Sequence, residues 1–262
     1  MLHLKSISVR EFGSRDTDSF PFTLEIVKSL REIQFDSPVT FFVGENGSGK
    51  STILETIACA AESITVGSES VRTDKSLAPL RKLAQYFLLV WTKRTRKGFF
   101  LRAEDFFGYA KSMRQTKEEF QDELQNVKRE YKGRSAYAEA LASMPYQGQL
   151  AEMQRRYGDG LDSRSHGESF LTLFQSRFVP DGLYLLDEPE AALSPMRQLT
   201  FIAALKQMVQ ENSQFIIATH SPILLAFPDA QILQFANGAI REVQYNELEH
   251  VQLTKDFLNN PV

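Results

Sequence analysis

Residues 44–51 read Gly-Glu-Asn-Gly-Ser-Gly-Lys-Ser, a run whose residue types and spacing suit one task, the holding of a polyphosphate. Gly44, Gly47 and Gly49 allow successive backbone N–H groups to converge on phosphate oxygens, and the expected binding set is Gly44, Glu45, Asn46, Gly47, Ser48, Gly49, Lys50, Ser51 and Thr52. Within that set Lys50 reaches the β and γ phosphates, while Ser51 offers its hydroxyl to Mg²⁺. A second group, Asp187-Glu188, closes the apolar run Leu183-Tyr184-Leu185-Leu186. Asp187 is placed to hold the Mg²⁺ shell with Ser51, and Glu188, one residue further, to polarise an attacking water as a general base. A third, His220, ends the run Phe215-Ile216-Ile217-Ala218-Thr219, 33 positions after Asp187. The fourth is Ser165-His166-Gly167-Glu168-Ser169, followed by Phe170, Leu171, Phe174 and Phe178 at helical spacing. Here Ser165 has the character of an N-cap, and the helix would aim its positive end at an anion.

The flanking elements are those such chemistry needs. Val39 to Val43 is a β-branched and aromatic run that predicts a buried strand. Ser51 to Ala61 carries Ile53, Leu54, Ile57 and Ala58 on one helical face, so the glycine-rich loop lies between strand and helix. Between Asp187 and His220, the spacing of Met196, Leu199, Ile202, Ala203 and Leu205 predicts a helix over 195–209. That makes a βαβ unit, with Asp187 and His220 emerging at the carboxyl ends of parallel strands.

Taken together, these residues resemble the ABC-type ATPases, and within them the soluble branch around the SMC, RecF and double-strand-break repair ATPases, including compact free-standing members. The resemblance implies an α/β fold: a P-loop NTPase with an ABC-type head, a mixed central sheet flanked by helices, an antiparallel β layer and a small helical lobe. It places the family's signature serine on Ser165, its second glycine on Gly167 and its final polar residue on Glu168. Arg164 stands where leucine is usual and His166 where the first glycine is usual. By the same resemblance 190–195 is the D-loop, Ala192 to Ser194 face a second subunit, and His220 is the catalytic switch histidine. ATP and Mg²⁺ are the implied cofactors. The Q-loop position falls near Glu104, with Gln85 an earlier candidate, and Phe12 or Phe20 could stack on adenine, although a core role suits either ring.

The chain has 262 residues, 42% of them hydrophobic, enough for one substantial core. A single domain is expected over 1–262, with 1–104 and 180–244 forming the nucleotide-binding lobe, 105–179 the helical signature lobe and 245–262 a tail with an apolar patch at Phe257 and Leu258. The net charge of −3 gives no global pull toward nucleic acid or an anionic membrane. Cys59, the single cysteine, excludes an intrachain disulfide and a cysteine metal cluster, as in a reducing cytoplasm. The first twenty residues have no apolar signal core, and no run of eighteen apolar residues occurs. A cytoplasmic location without a membrane partner is the expectation.

Several local signals are also legible. Leu2, Leu4 and Ile7, then Phe22, Leu24 and Ile26, then Ile33 and Phe35 read as three strands. Residues 86–91 and 99–101 flank Lys93-Arg94-Thr95-Arg96-Lys97-Gly98 and predict a hairpin whose basic tip is either a solvated turn or a DNA-backbone contact. Thr116-Lys117-Glu118-Glu119 is a capping box before a helical stripe of Phe120, Leu124, Val127 and Tyr131, and residues 158–164 lead into the signature helix. Asn237-Gly238 predicts a tight hairpin. The functional expectation is an ATPase whose two copies sandwich two ATP molecules head to tail, acting as a switch on DNA or an effector protein in a repair, SMC-like or defence role. The alternatives are the nucleotide-binding subunit of a membrane transporter and a non-hydrolysing nucleotide-binding scaffold.

Overall fold

The computed structural model describes residues 2–13, 18–67, 69–157 and 166–260. Along the chain run β1 (Leu4–Val9), α1 (Glu25–Ser29), β2 (Glu32–Gln34), β3 (Val39–Gly44), α2 (Lys50–Ala60) and α3 (Ala78–Ala84). Next come β4 (Phe87–Trp91), β5 (Phe100–Arg102), α4 (Ala103–Glu130), α5 (Ala136–Tyr157), α6 (His166–Arg177) and β6 (Leu183–Asp187). The last elements are α7 (Pro195–Gln210), β7 (Gln214–Ala218), α8 (Pro222–Leu225), β8 (Gln231–Ala236), β9 (Ala239–Glu242) and α9 (Glu249–Asn259).

Six strands form the central sheet in the order β5-β6-β7-β3-β8-β9, parallel throughout except for β9, and β2-β1-β4 make a separate antiparallel sheet. This is a P-loop α/β fold with a mixed central sheet and an antiparallel layer. The central strands are continuous apolar runs because both faces are covered. Strand alternation sends Val39, Phe41, Val43, Tyr184, Leu186, Phe215 and Ile217 into the core shared with α6 and α7. Phe42, Leu183, Leu185, Ile216, Ala218 and Leu233 face the core shared with α2, α3 and the smaller sheet. Buried Gln214 ties the two sheets together: its amide oxygen accepts from the N–H groups of His3 and Leu4, both at 2.8 Å, and its amide nitrogen donates to the Leu4 carbonyl at 2.9 Å.

The structure agrees with the strand–loop–helix around 44–51, with the β6–α7–β7 unit and with the β8–β9 hairpin at Asn237-Gly238. Elsewhere it corrects the sequence reading. Leu24 and Ile26 are not in a strand; α1 forms there and buries Ile26 and Val27, since apolar residues at 22 and 26 satisfy a helical period as well as an alternating one. The 86–101 hairpin does not form either. β4 pairs with β1, β5 pairs in parallel with β6, and the basic segment crosses from one sheet to the other. There Lys93 and Lys97 both lie against the Asp181 carboxylate, and Leu183 N–H donates to the Lys97 carbonyl. The capping box at 116–119 starts no helix. It lies inside α4, 28 residues and about 42 Å long, because Phe106, Tyr109 and Met113 dock the preceding turns on the core and nothing interrupts the helix. α4 and α5 pair as a helical hairpin, with Phe120 and Tyr146 facing at 6.3 Å between ring centroids.

Candidate nucleotide site

The loop between β3 and α2 is shaped by glycines at positive φ. Gly44 has φ 150°, and a Cβ there would meet the Phe235 carbonyl oxygen at 2.4 Å; Gly49 has φ 95°, and a Cβ would meet the Ile26 side chain at 2.5 Å. The loop thus needs glycine both for conformation and for the close approach of α1 and β8. Lys50 is buried, and its ammonium donates to the carbonyls of Gly44 and Glu45 at 2.8 and 3.0 Å. Burial depresses its pKa, against the opposing charges of Glu188, Asp187 and Glu190. Ser48 Oγ is buried in the loop without a hydrogen-bond partner, as expected of a hydroxyl that serves an incoming anion.

Parallel pairing of β6, β7 and β3 brings the other groups to the same edge. Asp187 Oδ1 accepts from Ser51 Oγ at 3.1 Å. Burial pushes the Asp187 carboxyl up to about 7, with Glu55 and Glu188 adding to the effect and Ser51 and Lys50 opposing it. One hydroxyl and one carboxylate suit Mg²⁺, which keeps several waters and takes its remaining oxygens from substrate phosphates. Among the described residues no larger His, Cys, Asp or Glu cluster is arranged to hold a metal.

Glu188 sits in the left-handed region, φ 50° and ψ 48°, held there by its N–H bond to the Ala218 carbonyl. That conformation costs a non-glycine residue about 1 kcal/mol or more and turns the carboxylate out of the sheet edge. Its Oε1 is 3.8 Å from His220 Nε2. Burial and the Lys50 ammonium hold the His220 pKa below the ordinary histidine range, while Glu188 pulls the other way, so the ring is neutral at pH 7. The His220 N–H donates to Glu190 Oε1 at 2.6 Å, and Thr219 is a further partner of that carboxylate. Ser221, the N-cap of α8, donates to Gln198 of α7, and Gln198 bonds the Leu193 carbonyl at 3.1 Å. The segment after Glu188 and the histidine loop are therefore one hydrogen-bonded unit.

Ser165 lies outside the described residues. His166, Gly167 and Glu168 form the first turn of α6, whose Phe170, Leu171 and Phe174 are buried as their spacing predicts. Glu104 follows β5 at the sheet edge that carries Asp187 and is well exposed, whereas Gln85 closes α3 beside the smaller sheet. Phe12 packs edge-on against Phe22 and Tyr86, a core role, and Phe20 is exposed.

Sequence reasoning gave three residues no individual part in the site. Glu190 is one, seated beneath His220. Arg102 is another: paired in register with Asp187, it contacts Asp105 at 2.7 Å, Asp74 at 3.1 Å and Glu55 of α2 at 3.3 Å. An arginine ending an apolar strand among acidic segments was the available signal. The third is His250 on α9, which has no local motif around it.

Residues 22–132 match a family model described as "AAA domain", and residues 167–226 match one described as "AAA domain, putative AbiEii toxin, Type IV TA system". The first span holds the phosphate loop and the second holds Asp187, Glu188 and His220, so each part of the candidate site falls within a match to an AAA-domain model. A curated relative, the L-cystine transport system ATP-binding protein TcyN of Escherichia coli (strain K12), is 25% identical over 186 residues, covering 70% of this chain and 69% of that one. Among solved structures, the Smc head domain bound to the C-terminal domain of ScpA, derived from Pyrococcus furiosus, is 11% identical with a TM-score of 0.48, covering 98% of this chain and 100% of that chain. The ADP conformation of MJ1267, an ATP-binding cassette of an ABC transporter, is 16% identical with a TM-score of 0.47, covering 100% and 96%. No described helix is long and apolar enough to cross a membrane.

Proposed function

We propose that this chain binds Mg-ATP on its phosphate loop, hydrolyses it, and uses the ATP-bound state to pair two copies head to tail as a switch on DNA or an effector protein. The observation that carries the reading is the 3.1 Å contact of Ser51 with Asp187, made where Lys50, Glu188 and His220 also converge. In this reading the 44–52 backbone and Lys50 hold the triphosphate. Ser51 and Asp187 take Mg²⁺, which neutralises phosphate charge and orients the γ group when bound. Glu188 accepts a proton from the attacking water, and the neutral His220 ring donates to a γ-phosphate oxygen. Replacing Lys50 with Ala is expected to weaken ATP binding about 100-fold, because it removes charge-assisted bonds to two phosphates. Titration calorimetry checks this; an unchanged affinity would refute the site.

The head-to-tail arrangement is supported by the placement of α6. Its carboxyl end leads into the start of β6, so its amino end lies toward the nucleotide edge, yet its aromatic residues pack on the sheet face opposite α2. Ser165, Gly167 and Glu168 are thereby proposed to serve the triphosphate of a second copy, with Ala192 to Ser194 beside them at an isologous contact. A role as the ATP-binding subunit of a membrane transport system is the second reading, favoured by the likeness to TcyN. Against it, residues 101–105, where the resemblance puts the coupling glutamine of transport subunits, contain no glutamine, Gln85 being the earlier candidate. Co-purification with a membrane-embedded partner would favour that second reading.

Asp187 also makes metal binding pH-dependent. Its folded pKa near 7 is raised above the ordinary carboxylate value, so the metal-free fold holds a proton that the unfolded chain has lost, and fold stability falls between about pH 4 and pH 7. Mg²⁺ must displace that proton. The Mg²⁺ dependence of ATP binding is expected to be about ten-fold weaker at pH 6 than at pH 8, levelling above pH 7; a flat dependence would show that Asp187 is already ionised.

A further inference from the structure

One wall of the nucleotide cleft comes from the end of the chain. His250, in the first turn of α9, and His220 line the same cavity of about 970 Å³ as the loop residues Gly44 to Ser48. The Nε2 atoms of both rings are buried without a hydrogen-bond partner, as is Ser48 Oγ. The two imidazoles are close enough that charge on His220 disfavours charge on His250.

His250 is not on a loose tail. Leu248 and Val251 on either side of it are buried in the main core, and the turn before α9 is closed by reciprocal bonds between Gln244 and Glu247. Tyr245 Oη donates to the carbonyl of Pro222 at 3.1 Å, two residues beyond His220, so the two histidines are carried by segments bonded to each other. Arg241 and Glu249 stand at the same cavity, and Arg241 is engaged with the Gln234 side chain. Two unpartnered imidazole nitrogens and a loop hydroxyl on residues lining one cavity, beside a backbone that presents N–H groups, call for a ligand rich in acceptor oxygens. Among the described residues no group of three or more His, Cys, Asp or Glu side chains is arranged here to hold a metal ion.

We propose that His250 is a second imidazole contact to the terminal phosphate of the bound nucleotide, beside His220, so that α9 registers whether a third phosphate is present. This rests on the nucleotide reading of the cleft. It assigns the C-terminal helix a part in distinguishing ATP from ADP, with Leu253 of the same helix also lining the cavity.

The test is titration calorimetry of the full chain with Mg²⁺ and either AMP-PNP or ADP, on the native protein and on His250→Ala, His250→Gln and Lys50→Ala. His250→Ala is expected to weaken AMP-PNP about ten-fold and ADP less than about two-fold, and His250→Gln, which keeps a side-chain N–H donor, to recover most of the loss. Hydrogen exchange across 249–259 should slow with AMP-PNP in the native protein and not in His250→Ala. Equal losses for both nucleotides, or unchanged AMP-PNP affinity with unchanged exchange in α9, would overturn the contact. If the native protein binds and Lys50→Ala does not, the nucleotide reading survives that failure. If the native protein binds neither nucleotide, both readings fall.

Discussion

Glu188→Gln protein is expected to bind Mg-ATP normally while releasing phosphate about 10²- to 10⁴-fold more slowly than the native protein. Glutamine preserves the shape of the side chain and can still orient a water, but it cannot accept the water's proton. Substrate binding should persist because Lys50, Ser51 and the loop backbone are untouched, and the left-handed backbone at 188 is held by the bond to the Ala218 carbonyl rather than by the carboxylate. If two copies close around two ATP molecules, blocking hydrolysis removes the exit from the closed state, and dimer accumulates by mass action. Steady-state phosphate release and light scattering at saturating Mg-ATP measure the two effects separately. Unimpaired turnover would remove Glu188 from the role of base. A variant that binds ATP and stays monomeric would instead remove the trans-site arrangement and leave the chemistry standing.

Arg102→Ala should destabilise the fold by about 3 kcal/mol, read as a lower denaturant midpoint at unchanged slope. The guanidinium is 11% exposed and its partners Glu55, Asp74 and Asp105 are 12–15% exposed, so its removal leaves three carboxylates in a poorly solvated space. Glu55 shows the strain: burial raises its pKa, and Arg102 is the main influence opposing that rise. Arg72→Ala is the control. Arg72 and Glu62 meet at 2.8 Å but both side chains are more than half exposed, and losing that pair should cost less than about 0.5 kcal/mol. Equal effects at the two sites would mean that Arg102 contributes no more than a surface ion pair.

The candidate site was legible where its chemistry is local. A phosphate cradle made of consecutive backbone amides must be contiguous in sequence, so 44–51 announces itself, as do a carboxylate pair and a histidine closing strands that are apolar on both faces. Asn237-Gly238 was readable for the same reason: two residues decide a two-residue turn. The helix carrying Phe170, Leu171 and Phe174 was legible from its period, although what its first turn contacts was not.

Strand partnership was beyond the sequence. β4 and β5 look like the arms of a hairpin, yet each pairs better with a distant strand, because the energy of pairing comes from burial against a sheet that the local sequence does not contain. The start of α4 was set in the same way, by docking of Phe106 on the core rather than by a capping motif. Motif residues alone pointed to a phosphate-type loop and to Ser51, Asp187, Glu188 and His220 as candidate groups, which the fold brings to one sheet edge. Tertiary structure decided what surrounds them, since Arg102 meets Glu55 and Asp74, and His250 meets the cleft of His220, only through contacts between segments far apart along the chain.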